Sequence, residues 1–138
     1  MPTTSTSRAL DSFSPAAKKW FTSAFESPTA AQEEAWESIA SGEHTLVVAP
    51  TGSGKTLAAF FWALDQLAQR GESEAGAEEE KPGVKVLYVS PLKALGVDVE
   101  RNLRSPLAGL REASSSLGLP VPDISVGVRS GDTPASER

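Results

Sequence analysis

Residues 45–56 decide the fold and read Thr45-Leu46-Val47-Val48-Ala49-Pro50-Thr51-Gly52-Ser53-Gly54-Lys55-Thr56. The unbroken apolar run at 45–49 predicts a short strand buried on both faces. The glycine-rich residues 50–54 predict a loop. Apolar side chains at helical spacing then predict a helix from Lys55 to about Arg70, which Gly71 ends. A strand, a glycine-rich turn and a helix in this order are typical of a phosphate-binding loop.

The residue types in this turn suit a triphosphate. Gly52 and Gly54 permit backbone conformations in which successive N–H groups converge on an anion. The start of the helix adds free N–H groups and the positive end of its dipole. Lys55 would place a cation on the β- and γ-phosphates, and the Thr56 hydroxyl would ligate Mg²⁺, so both are candidate catalytic residues. The predicted nucleotide site consists of Pro50, Thr51, Gly52, Ser53, Gly54, Lys55 and Thr56. The alternative is an incidental glycine-rich turn before a helix.

Two helices are predicted upstream of this loop. Ser14 and Pro15 have the residue types of an N-cap and a first helical turn, and an aromatic face follows them. Thr29 and Gln32, three residues apart, predict a capping box that opens a second helix, which Gly42 ends.

Strands and helices alternate downstream as well. Strands are predicted at 84–90 and 124–128, a helix at about 92–107, a shorter helix at 110–117, and a helix start at Thr133 and Pro134. This alternation predicts an α/β fold, with a parallel sheet that carries helices on both faces and ligand loops at the carboxyl ends of its strands.

Composition excludes several classes of function. The 138 residues include no Cys and one His, which excludes disulfides, a thiol nucleophile and metal clusters built on Cys or His. The net charge of −5 is concentrated in an acidic segment at 71–83, predicted as a loop insertion; without residues 71–82 the chain carries 13 acidic and 12 basic residues. Residues 1–11 are predicted to be flexible, and residues 12–138 to form the domain. No secretory signal or membrane span is visible, so a cytoplasmic protein is expected.

Four motifs in order resemble those of the first RecA-like lobe of superfamily 2 helicases. They are Phe25-Glu26-Ser27-Pro28-Thr29-Ala30-Ala31-Gln32, the phosphate loop at 49–56, Pro91-Leu92-Lys93-Ala94-Leu95, and Arg129-Ser130-Gly131-Asp132-Thr133. Residues 57–60 and 97–103, together with the third motif, are similar to the large helicase-related proteins in particular.

The resemblance implies roles for individual residues. Gln32 would pair with the edge of adenine, within an element that includes Phe25, while an upstream aromatic would pack on the base. Phe13 lies at about the right distance for that packing, with Trp20 and Phe21 as competitors. Two loops would hold phosphates of a nucleic-acid strand, one with Pro91, Leu92 and Lys93, the other with Arg129, Ser130, Gly131 and Asp132. From the residues alone, Gln32 could instead serve only the capping box, Lys93 could be a solvated lysine, and Ser130 to Asp132 could be an ordinary turn.

The resemblance also implies ATP and Mg²⁺ as cofactors and single-stranded or partly duplex DNA or RNA as partner, with no membrane. The Asp-Glu-x-His box, the Ser-Ala-Thr motif and a second lobe of such helicases do not occur in the sequence. We therefore expect the N-terminal part of a longer ATP-dependent helicase, whose remainder is a further partner, incomplete for hydrolysis by itself. Two alternatives remain: a non-catalytic module that binds nucleotide and nucleic acid, and a small P-loop phosphotransferase.

Overall fold

A computed structural model describes residues 8–50, 52, 54–73, 83–91 and 93–137. Within these ranges the regular elements are four α-helices and two 3₁₀ helices. The α-helices are α1 (Pro15–Ala24), α2 (Ala30–Ala40), α3 (Lys55–Ser73) and α4 (Lys93–Ser116), and the 3₁₀ helices span Arg8–Ser12 and Ala135–Glu137. The second 3₁₀ helix follows the predicted helix start at Thr133 and Pro134.

The predicted caps of α1 and α2 are confirmed. Ser14 is the N-cap of α1, and its Oγ accepts a hydrogen bond from the Ala17 N–H at 3.2 Å. In α2 the Gln32 N–H donates to Thr29 Oγ1 at 3.2 Å, and the Thr29 N–H donates to Gln32 Oε1 at 3.1 Å. Each pair satisfies N–H groups that a helix start leaves without partners.

An aromatic core joins the first three helices. Phe61 of α3 lies at its centre and is fully buried. Phe13 stacks on Phe61 with ring centroids 4.7 Å apart, and Trp36 of α2 meets Phe13 edge-on at 5.0 Å. Phe21 of α1 lies 5.8 Å from Phe61. Trp62 of α3 meets Phe13 edge-on at 5.2 Å. Because these rings come from segments far apart in sequence, the core fixes α3 and its phosphate loop relative to α1 and α2.

Helix α4 packs against α1 and α3 and is longer than predicted. The sequence suggested two helices, at 92–107 and 110–117, whereas one helix runs from Lys93 to Ser116 with Pro106 inside it. Leu103, Leu110 and Ala113 lie on its buried face on both sides of the proline. Their burial offsets the helical hydrogen bond that Pro106 cannot donate.

The three predicted strands are not formed among the described residues, where no strand is present. Segments 45–49, 84–90 and 124–128 have no regular secondary structure, and the side chains of Leu46, Val48 and Val89 are 80–89% exposed. A strand buried on both faces needs hydrogen-bonded neighbours at its edges and packed helices on its faces. The four helices bury their apolar sides mainly against one another. The three β-prone segments therefore have no sheet to join among the described residues.

The ends of two predicted segments also differ from the structure. Residues 1–11 were expected to be flexible, yet Arg8–Ser12 forms a 3₁₀ helix in which Leu10 is buried in the core. Helix α3 continues past Gly71 to Ser73, and the rest of the predicted acidic loop, at 74–82, lies outside the described residues. No helix in the described ranges has the length and apolarity that a membrane crossing requires.

Candidate nucleotide-binding site

The glycine-rich loop leads directly into α3. Gly52 and Gly54 have φ of +86° and +78°, in the left-handed region that glycine adopts most easily, as the sequence predicted. The Gly54 carbonyl accepts the first hydrogen bond of α3, from the Ala58 N–H at 3.0 Å. Thr51 and Ser53 were predicted in the same site and lie outside the described residues. The turn therefore ends at a helix N-terminus, where free N–H groups favour an anion.

The Lys55 ammonium lies across this turn. Its Nζ donates to the Ala49 carbonyl oxygen at 2.7 Å, and the side chain is exposed. None of the ion pairs found in the described ranges includes Lys55. A bond from an exposed ammonium to a neutral carbonyl is exchanged readily for a charge-assisted bond to a phosphate. Pro50 and Thr56, on either side of the turn, are exposed as well.

Gln32 links α2 to the phosphate loop, a contact that the sequence analysis did not predict. Its side chain is 96% buried, and Nε2 donates to the Gly54 carbonyl oxygen at 3.3 Å. A Cβ at Gly54 would lie 2.2 Å from Gln32 Nε2. The capping-box bond to Thr29 uses one of two lone pairs on Oε1, and the Gly54 bond uses one of two Nε2 hydrogens. The amide thus retains one acceptor and one donor, so the capping-box role leaves a pairing role possible.

The aromatic residues considered for packing on the adenine base differ in how far they are buried. Phe13 and Phe21 are 96% and 99% buried in the aromatic core, so the interpretation that either packs on a base is wrong for this structure. The Trp20 ring packs against the backbone of α4 at Gly109. Phe25, the C-cap of α1, is 45% exposed, with its ring 5.9 Å from Trp20. Phe25 is therefore the most exposed of these four side chains.

The two loops predicted to bind a nucleic-acid strand lie only partly among the described residues. Pro91 is exposed, Leu92 lies outside the described residues, and Lys93 begins α4. In the second loop the Ser130 N–H donates to Thr133 Oγ1 at 2.8 Å, and the Thr133 N–H donates to the Ser130 carbonyl at 3.1 Å. These bonds hold Gly131 and Asp132 in a closed turn, while Arg129 is exposed beside it.

Asp65 is a buried ionisable residue that the sequence analysis did not single out. It lies on α3, ten positions after Lys55, and is fully buried. The Ser14 N–H donates to Oδ2 at 2.8 Å, and the Ser14 hydroxyl donates to Oδ1 at 2.5 Å. Burial raises the pKa of Asp65, and the hydrogen bonds from Ser14 and Gln69 oppose that shift. A polar residue beside the apolar stripe of α3 was the only signal of it in the sequence.

In the described part of the turn, the hydroxyl of Thr56 is the side-chain group that could bind a metal ion. Among the described residues no group of three or more His, Asp or Glu is placed to hold a metal ion. Thr56 follows Lys55 in the first turn of α3 and is exposed. Because Mg²⁺ keeps several waters and takes few protein ligands beside nucleotide phosphates, a single hydroxyl here suits an ion that arrives with a nucleotide.

The matching family covers most of the chain. The DEAD/DEAH box helicase family matches residues 29–126, which include the capping box of α2, the phosphate loop, α3 and α4. The chain belongs to the DEAD/DEAH box helicase family. Membership confirms the resemblance drawn from the four motifs.

Known members of this helicase family match nearly the whole chain. The Lhr helicase/probable uracil glycosylase of Mycolicibacterium smegmatis is 57% identical over 136 residues, which are 99% of this chain and 9% of that protein. The Lhr helicase/uracil glycosylase of Escherichia coli is 49% identical, over 93% of this chain and 8% of that protein. The chain thus spans less than a tenth of the length of these helicases.

A solved helicase structure shows the same fold. The structure of Mycobacterium smegmatis helicase Lhr bound to ssDNA and AMP-PNP superposes with a TM-score of 0.82 and 56% identity, over 94% of this chain and 15% of that one. The arrangement of α1 to α4 is therefore that of a helicase, although the described residues form no strand.

Proposed function

We propose that this chain is the nucleotide-binding part of an ATP-dependent helicase that acts on single-stranded or partly duplex DNA or RNA. The observation that carries the proposal is the junction before α3. There, two glycines of positive φ precede a helix N-terminus, with the exposed Lys55 ammonium beside them and the Gln32 amide behind. Relatives named ATP-dependent helicases support ATP as the nucleotide. We also propose a cytoplasmic location, where a helicase would meet its nucleic acid.

In this proposal each residue has a defined task. The loop 50–54 and Lys55 bind the phosphates, Phe25 and Gln32 lie on the side of the base, and Thr56 holds Mg²⁺. When bound, Mg²⁺ supplies charge neutralisation to the β- and γ-phosphates. Lys55 adds a second cation close to the same oxygens. The exposed apolar segments 45–49, 84–90 and 124–128 are proposed to be strands of a parallel sheet, with helices on both faces, completed by further strands of the full-length helicase.

Two loops would grip the nucleic-acid strand through its backbone. Pro91, Leu92 and Lys93 precede or begin α4, where free N–H groups can bind a phosphate. Arg129 stands beside the closed turn of Ser130, Gly131 and Asp132, and its exposed guanidinium can pair with another phosphate. The structure of a relative that binds ssDNA supports nucleic acid as the partner, and backbone contacts of this kind carry no base specificity.

The isolated chain has a second candidate behaviour, binding without turnover. The Asp-Glu-x-His box of such helicases does not occur in the sequence, which favours a binding module over a complete hydrolase. The same proposal includes Arg8–Ser12 in the domain, because Leu10 is buried in the core, and begins the acidic insertion after Ser73, where α3 ends.

Calorimetric titration with ATP and with single-stranded DNA tests the proposal, beside an assay of phosphate release. We expect ATP binding that depends on Lys55 and DNA binding that weakens as salt rises. Absence of ATP binding to the wild-type chain would refute the proposal. Strand-stimulated phosphate release from these 138 residues would refute the second candidate.

A further inference from the structure

Asp65 joins the start of α1 to the middle of α3. Its carboxylate accepts three hydrogen bonds, from the Ser14 N–H at 2.8 Å, the Ser14 hydroxyl at 2.5 Å and Gln69 Nε2 at 3.0 Å. Ser14 is also the N-cap of α1, and its Oγ accepts from the Ala17 N–H. The first turn of α1 is therefore attached to α3 through one buried side chain.

From this attachment α1 runs back toward the phosphate loop. Ser14, before α1, contacts Asp65, whereas Phe21, seven residues later, lies against Phe61, four residues earlier on α3. Phe25 then caps the end of α1. Phe61 is four positions closer to Lys55 than Asp65 is, so α1 advances toward the phosphate-loop end of α3, and Phe25 lies four residues further in that direction than Phe21.

The segment Phe25–Gln32 is consequently tied to α3 at both ends. Gln32 Nε2 binds the Gly54 carbonyl immediately before α3, and α1 connects Phe25 to the attachment at Asp65. Burial of a carboxylate between two helices costs desolvation free energy, which is why the pKa of Asp65 is raised. An apolar pair of similar volume would pack the helices together without that cost. Such groups are retained in some proteins because they fix one geometry among several.

We propose that Asp65 is a positioning residue for the nucleotide site, which acts through Ser14 and α1 to set the distance between the segment Phe25–Gln32 and the phosphate loop. This inference rests on the proposed binding of ATP. Asp65 touches no nucleotide in this arrangement; it holds the base side of the site in register with the phosphate side. Loss of the attachment should weaken the contribution of the base to the affinity for ATP and leave the contribution of the phosphates unchanged.

Two probes separate these contributions. ATP engages both sides of the site, whereas inorganic tripolyphosphate engages the phosphate loop alone. The dissociation constant of each is measured by calorimetry for the wild-type chain, Asp65→Asn and the milder Ser14→Ala, at a temperature where all are folded. Ser14→Thr keeps the cap, the hydroxyl and the N–H and serves as the rescue variant. Leu103→Ala, a core truncation on α4 that leaves the Asp65 attachment intact, controls for general destabilisation.

We expect Asp65→Asn and Ser14→Ala to raise the Kd for ATP about fivefold or more, which is the lower range for loss of a base–aromatic contact. The Kd for tripolyphosphate should stay unchanged in both, and Ser14→Thr and Leu103→Ala should bind both probes as the wild type does. Parallel weakening of both probes, or the same selective loss in Leu103→Ala, would overturn the inference. If ATP binding is unaltered in both variants, the positioning role of Asp65 is refuted and the proposed function stands. If the wild-type chain binds neither probe, the positioning role and the proposed function are both refuted.

Discussion

Replacing Gly54 with alanine tests the contact between Gln32 and the phosphate loop. A Cβ at this position would lie 2.2 Å from Gln32 Nε2 and 3.0 Å from its Cδ, so the amide has to move. The residue also has φ of +78°, which costs a side-chain-bearing residue about 1–2 kcal/mol. Displacing a packed buried side chain adds about 1–3 kcal/mol. We therefore expect Gly54→Ala to lower the free energy of unfolding by about 2–5 kcal/mol.

The chain offers a matched control for the backbone effect. Gly42, after α2, has φ of +84°, and nothing lies within 4 Å of the Cβ it would gain. Gly42→Ala should therefore cost only the backbone term of about 1–2 kcal/mol. It should not alter nucleotide affinity, because Gly42 lies outside the proposed site.

Combining Gly54→Ala with Gln32→Ala isolates the steric clash. Without the Gln32 amide, the new Cβ meets no atom of that side chain, so Gly54→Ala should cost about as much in this background as Gly42→Ala does in the wild type. Urea denaturation of the four variants measures the coupling. A cost of Gly54→Ala that equals that of Gly42→Ala in the wild-type background, with no coupling to Gln32, would refute the reasoning.

Three further predictions concern the scaffold around the site, and urea denaturation measures each of them. Gly109→Ala should destabilise by about 1–3 kcal/mol, although alanine favours a helix, because its Cβ would lie 1.9 Å from the Trp20 ring; a more stable variant would contradict that packing. Thr29→Ala should cost about 1 kcal/mol through loss of the capping bond, and no loss would deny the capping box a role in stability. Burial raises the pKa of Asp65 above its ordinary 3.8. The stability that Asp65 contributes should therefore be present below pH 3.8 and be lost as pH rises through the raised pKa. Asp65→Asn should remove this dependence of the free energy of unfolding on pH, and an unchanged dependence would assign it to other groups.

Local features of the site were predictable from sequence because they depend on neighbouring residues. The caps at Ser14 and Thr29, the positive φ of Gly52 and Gly54, and the start of α3 at Lys55 all follow from residue types a few positions apart. Each of these predictions is confirmed.

Contacts across long stretches of chain were not predictable in this way. The bond between Ser14 and Asp65 spans 51 residues and the bond between Gln32 and Gly54 spans 22, so no periodic pattern indicates them. The burial of Phe13 likewise depends on rings from α2 and α3.

The three predicted strands do not form among the described residues, for a related reason. Strand propensity at 45–49 and 84–90 is a local property, whereas a ladder requires a neighbour with free backbone groups beside it. Helices satisfy their own backbone bonds, and accordingly helices are the elements that the described residues form.

The central claim is that the turn before α3 binds a triphosphate with the help of Lys55, and the gain in stability on adding ATP tests it most directly. At about 100 times the Kd, ATP should raise the free energy of unfolding by about 2.7 kcal/mol in the wild type. Lys19→Ala, which removes an α1 lysine that donates to Ser116, should show the same gain. Lys55→Ala should show none at that ATP concentration. An equal gain in Lys55→Ala and the wild type would contradict the claim.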